Sequence, residues 1–243
     1  MNSTLKTMAA ALLLMFFVSG CNKPDEPDVP DEPIHSLNGH DFVDLGLPSG
    51  ALWATCNLGA VVPEDFGDYY AWGETVTKEI YDWKNYRYGN YLDGQSEMTK
   101  YCSDPDWGLD GFADTLTVLE PIDDAALANW GEGWRMPTRE EWAELYQNTT
   151  CVWTEQNGVE GLLLTGGNGN SMFLPAAGYR DGGDVVTTAL GIYWSSTLQT
   201  TMPVIAWSFH FNLDTWHVCG SYERNRGQVV RPVCSSMVLE KQG

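Results

Sequence analysis

From Ile34 onward, glycines, prolines and Asn-Gly or Pro-Ser-Gly steps cut the chain into short extended runs, and helical periodicity is rarely sustained. Runs of that length cannot bury a core alone, so they must pair into sheets whose faces are covered by neighbours. Residues 41–47 and 51–58 flank Pro48-Ser49-Gly50, which predicts a hairpin near the start of the domain. Residues 151–155 and 161–165 straddle Asn157-Gly158, the step that favours a two-residue hairpin turn. Asn168-Gly169-Asn170 predicts a further turn before Met172-Phe173-Leu174, and 193–197, 204–213 and 228–233 read as the remaining strands.

Two segments carry helix signals. Asp123 or Asp124 can cap a short helix over 125–130, with Gly131 as its exit. Thr138 and Glu141 have the spacing of a capping box, Pro137 stands just outside, and Trp142, Leu145 and Tyr146 then share one face. Residues 75–117, rich in Tyr, Trp, Gly and Asp, read as long loops packed by their own rings. The expected fold is therefore α+β, with short antiparallel strands, two main helices and long loops.

The first twenty residues belong to a different class. Lys6 precedes an apolar run from Met8 to Val18 that is too short to span a bilayer and reads as a signal peptide, 1–20. Val18-Ser19-Gly20-Cys21 resembles a bacterial lipobox, which implies cleavage before Cys21 and acylation of its sulfur and new amino group. Several acyl chains anchor a protein far more firmly than one. Residues 21–33 read as the lipidated cysteine and an acidic tether. Prolines at 24, 27, 30 and 33 match the three residues per turn of polyproline II, and five acids against Lys23 favour extension. That gives a spacer of roughly 35–40 Å; the plainer alternative is a disordered linker. The acidic stretch also resembles the signal that sends some lipoproteins to the outer leaflet, so the expected location is the outer membrane, lipid-anchored and exposed on the cell surface.

Removing 1–20 takes away Lys6 and no acid, so the net charge moves from −20 to −21. Such a surface repels phosphate backbones, which argues against nucleic acid, and membrane contact is expected through the lipid alone. Beyond Cys21 five cysteines remain, Cys56, Cys102, Cys151, Cys219 and Cys234. An exported location permits disulfides, but an odd number leaves at least one thiol unpaired.

The segment 198–225 is the richest in recognition chemistry. Trp207, His210, Asn212, Asp214, Trp216, His217, Tyr222 and Glu223 crowd together there without a catalytic motif. Large rigid rings with adaptable polar neighbours are what binding surfaces use. As a simple strand, 205–213 would put Trp207, Phe209, Phe211 and Leu213 on one face and Ala206, Ser208, His210 and Asn212 on the other, with Phe209 and Phe211 turned to the core. His217 and Cys219 alternate along an extended segment, with His210 nearby, which allows zinc, but chance surface placement is the plainer reading and no metal is expected. Asp104, Asp106, Asp110 and Asp114 form an oxygen-dense loop with calcium potential, although Gly108 sits where an EF-hand needs a ligand and no Glu closes the loop. No GxSxG, HExxH or phosphate-binding loop is present, so catalysis is not expected.

Six ordered segments are similar to the Fibrobacter succinogenes major paralogous domain family: FVDLGLPSGALWATCNLGA from Phe42, GDYYAWGET from Gly67, LEPIDDAALANWGEGWRMPTREEW from Leu119, GNSMFLPAAGYR from Gly169, GIYWSST from Gly191 and GQVVRPV from Gly227. The resemblance implies a C-type-lectin-like fold, related to the formylglycine-generating-enzyme superfamily, in which the terminal strands pair. It implies that Trp134, Arg135 and Trp194 are scaffold and that the segment before GQVVRPV is an exposed binding face, diversified by a retroelement in some relatives. The calcium-dependent sugar motifs of true C-type lectins are absent, and the catalytic cysteine pair of the formylglycine-generating enzymes has no counterpart. The function expected is a surface lipoprotein of adhesin or receptor type, without a cofactor, binding a protein or glycan on a cell, a phage or the host. A structural or tip subunit of a surface fibre is the alternative, and an enzyme of unknown activity the third reading.

Overall fold

A computed structural model describes residues 36–186, 189–214 and 216–235, with the backbone alone for 216–219. The signal peptide, Cys21 and the tether lie outside the described residues, as do the side chains of Trp216, His217 and Cys219. Among the described residues strand makes up 42% against two α-helices, so the fold is α+β or mainly β.

The chain opens with β1 (Ser36–Leu37), β2 (His40–Asp44) and β3 (Ala51–Ala54), then β4 (Tyr69–Tyr70) and a ribbon of β5 (Gly89–Leu92) and β6 (Gln95–Met98). Helices α1 (Ala125–Trp130) and α2 (Arg139–Asn148) lead into a meander of β7 (Thr149–Gln156), β8 (Val159–Gly166) and β9 (Ser171–Pro175). A second ribbon, β10 (Tyr179–Asp181) and β11 (Asp184–Val186), precedes β12 (Leu190–Leu198), β13 (Ile205–Asn212), β14 (Trp216–Glu223), β15 (Gln228–Val229) and β16 (Val233–Ser235). The larger sheets run β1-β2-β3-β16, β14-β13-β12-β15-β4 and β7-β8-β9.

Local chemistry sets these elements. Asn157 and Gly158 take φ of 48° and 85°, the left-handed pair a two-residue turn requires, and Gln156 pairs with Val159 around them. Asp124, rather than Asp123, caps α1 by accepting from the amides of Ala126 at 2.9 Å and Leu127 at 3.1 Å. Both halves of the α2 capping box form: Thr138 Oγ1 accepts from the Glu141 amide at 3.2 Å, and Glu141 accepts from the Thr138 amide at 2.8 Å. Trp142 and Leu145 are buried behind it and Tyr146 is half-buried.

The single strand expected over 228–233 is in fact two. Val229 pairs in parallel with Tyr193 of the five-stranded sheet, whereas Val233 pairs with Trp53 of the four-stranded one. Between them Pro232, with no amide to donate, breaks the ladder. Arg231, fully buried, fixes the crossing by donating to Asn57 Oδ1 at 2.8 Å, the Ala54 carbonyl at 3.0 Å and the Phe173 carbonyl at 3.0 Å.

Two cores lie on the two faces of β12 and β13. Trp194, Leu198 and Ala206 belong to one, together with Trp72, Tyr86 and Tyr101. Phe209 and Phe211 belong to the other, where Phe209 stacks on Trp142 at 4.9 Å and Phe211 on Tyr193 at 5.9 Å. Truncating rings buried this way costs about 3–5 kcal/mol each. Leu213 departs from the alternation: β13 ends at Asn212, and Leu213 is 60% exposed. Trp134 and Trp194 act as ties, their indoles donating to the carbonyls of Leu37 at 3.0 Å and Tyr70 at 2.8 Å. Arg135 pairs with Glu141 of α2. Cys56, Cys102, Cys151 and Cys234 are free thiols.

Candidate functional site

Among the described residues, the side chains expected to form one patch divide among three places. Trp207 shares its face of β13 with Phe209 and Phe211 and lies under the Arg139 guanidinium, 4.0 Å from the ring centroid. It is therefore on the α2 side, away from His210, because strand alternation sends neighbouring residues to opposite faces. His210 and Tyr222 do meet, with ring centroids 5.5 Å apart, and Tyr222 packs on Tyr179 at 4.9 Å. Gly220 makes this possible: a Cβ there would lie 2.2 Å from His210 Nδ1. His210 Nε2 is 2.7 Å from Ser208 Oγ. Burial, then the hydrogen bond to Tyr179, raises the Tyr222 phenol above its ordinary value. The pair thus packs within its own surface. Asn212 Oδ1 accepts from the Asp214 amide at 3.0 Å and shapes the turn after β13, where Asp214 is exposed. The His210 and His217 backbones are register partners.

Glu223 goes to a third place, a groove of about 580 Å³ between the end of β14 and the long loops. Trp83, Asp106 and Trp107 face it from the loops, Gln95, Ser96 and Glu97 from β6, and Val204 and Glu223 from the segment 198–225. Both indoles are half-buried and pack on the first core. A smaller lobe of about 310 Å³ shares Trp83 and Glu223 and includes Asn225 and Arg226. Glu223 accepts from Arg226 Nε at 3.1 Å, and Arg226 also pairs with Asp181.

The loop walls are held from behind. Arg224, fully buried, donates to Tyr86 Oη at 2.8 Å and to the carbonyls of Tyr101 at 3.1 Å, Pro203 at 2.9 Å and Lys100 at 3.0 Å. Its guanidinium also lies 4.8 Å from the Trp72 ring centroid. One side chain therefore joins the end of β14, the turn before β13 and the loop at 100–101. Beside it Asp123, 1% exposed, accepts from Tyr88, from Tyr101 at 2.7 Å and from Lys100 at 2.6 Å. Burial alone would raise the Asp123 carboxyl, but the hydrogen bonds from Lys100, Tyr101 and Tyr88 hold it below its usual range. Residues 75–117, expected to be irregular, are ordered by these contacts and by ring pairs such as Trp83–Tyr86 at 5.5 Å and Tyr88–Tyr101 at 5.8 Å.

The oxygen-dense loop uses much of its capacity internally. Asp114 accepts from the amides of Tyr101, Cys102 and Leu116, and Asp104 from that of Asp106. Among the described residues no three His, Cys, Asp or Glu side chains gather as a metal group.

Trp83, Glu97 and Trp107 stand outside every site expected from the sequence, and Asp106 is expected there only as part of the oxygen-dense loop with calcium potential. Two Asp-Trp steps, Asp82-Trp83 and Asp106-Trp107, were the available signal in the loops. No family model, curated protein or solved structure matches this chain.

Proposed function

We propose that this chain is a surface-tethered lipoprotein whose C-type-lectin-like domain binds a protein or glycan on another surface. The Trp83–Trp107–Glu223 groove is the ligand site. The observation that carries this reading is that the segment 198–225 and the long loops each supply walls to one roomy groove with two half-buried indoles. Apolar surface with a few directed polar groups is the usual make-up of a ligand site. The fold assignment rests on the six ordered segments, and the return of β16 to pair with β3 near the start of the domain supports it. The tether and lipid anchor present the domain to partners outside the cell. Residues 198–225 contribute one wall, and their exposed positions are where variation between relatives would alter specificity.

The test is capture of target cells, phage or host glycans by the immobilised full chain. Trp83→Ala with Trp107→Ala abolishes capture while the melting temperature falls only modestly, since neither indole is fully buried. Undiminished capture by the double variant overturns the groove assignment.

A further inference from the structure

We propose that the groove receives a cationic side chain, an arginine carried on a basic peptide segment of the partner; this rests on the groove being the ligand site. Among the described residues, the charged groups lining the main groove are Glu97, Asp106 and Glu223, all acids, and no Lys, Arg or His lines it. Glu97 and Asp106 form no ion pair with a described residue, so both remain available to an incoming cation. Glu223 is already shared with Arg226, so the other two acids carry most of the attraction.

One further feature selects the kind of cation. Trp83 and Trp107 offer indole faces, and a guanidinium stacks on such faces while bonding carboxylates through its planar fork. The adjoining lobe is lined by Lys84 and Arg226 as well as by Asp82 and Asp181, so the cation belongs in the main groove and not in that lobe. Acids and indole faces together match a flat group rich in N–H donors. The chain's net charge of −20 draws basic segments toward it at long range.

Calorimetric titration of the full chain in detergent tests this with two acetylated, amidated peptides, Arg-Gly-Arg-Gly-Arg and its citrulline counterpart. Citrulline keeps the shape and removes the charge. The arginine peptide binds about tenfold tighter or more than the citrulline one, and its binding weakens as salt rises. Glu97→Gln with Asp106→Asn removes most of that difference while the melting temperature is maintained. Equal binding of the two peptides, no binding of the arginine peptide, or an unchanged preference in the double variant overturns the proposal. Loss of capture by the double tryptophan variant alongside such a result leaves the groove standing and rejects only the cationic ligand. Persistent capture by the tryptophan variant rejects both.

Discussion

Replacing Arg224 with methionine separates the fold's chief polar tie from its apolar packing. The side chain is fully buried and makes four hydrogen bonds of 2.8 to 3.1 Å, three of them to main-chain carbonyls. Arg224→Met keeps the aliphatic stem and leaves those carbonyls and Tyr86 Oη without a donor. Each orphaned group costs about 1–3 kcal/mol, partly offset because a guanidinium no longer has to be desolvated. The net loss expected is about 3–5 kcal/mol, the usual result of removing one partner from a buried charged network. For a domain of this size, about 2–4 °C per kcal/mol, the melting temperature falls by roughly 6–20 °C. Near-ultraviolet circular dichroism reads the same event, because Trp72, Tyr86 and Tyr101 surround the guanidinium at 4.8, 5.3 and 5.9 Å. Arg224→Lys recovers less than half of the loss, since an ammonium has three donors and no planar fork. A melting temperature for Arg224→Met within about 2 °C of the parent, under roughly 1 kcal/mol, would refute the claim that this arginine organises the loops.

Thr138→Ala removes one half of the α2 capping box and lowers stability by about 1 kcal/mol in denaturant titration, and Thr138→Ser restores most of it. Acid should destabilise the fold through Asp123 and Glu141. Both carboxyls lie below their unfolded values of 3.8 and 4.5 when folded, so their stabilising contribution is complete above those values and drains as pH falls through the folded ones. Asp123→Asn is therefore less stable than the parent at neutral pH and flattens the acid limb of a stability–pH curve. An unchanged acid limb removes Asp123 from that account.

The local elements were legible because their signals are carried by adjacent residues. Asn157-Gly158 fixes its hairpin, and Thr138 with Glu141 fixes the start of α2, without help from distant chain. Simple alternation also sends Trp207 and His210 to opposite faces of β13, so the crowding of these residues in sequence does not make one patch in space. The groove was harder to see because its walls lie far apart in sequence: Trp83 and Trp107 meet Val204 and Glu223 only after Arg224 has tied the loops to the sheet. The 228–233 run misled for a similar reason. Its apolar residues suit one strand, but Pro232 and the contacts of Arg231 divide them between two sheets. The capacity of Asp114 was equally hidden, since its three amide donors come from Tyr101, Cys102 and Leu116 around a folded loop.

Hydroxyl-radical footprinting of the full chain, free and engaged on its partner surface, tests the central claim most directly. Trp83, Trp107 and Val204 line the groove, whereas Trp207 lies beneath Arg139 on the α2 side and Tyr222 packs against Tyr179. The account predicts strong protection of Trp83 and Trp107 on engagement, with Trp207 and Tyr222 oxidised at the same rate as in the free chain. Protection of Trp207 or Tyr222 with Trp83 and Trp107 unchanged would contradict it.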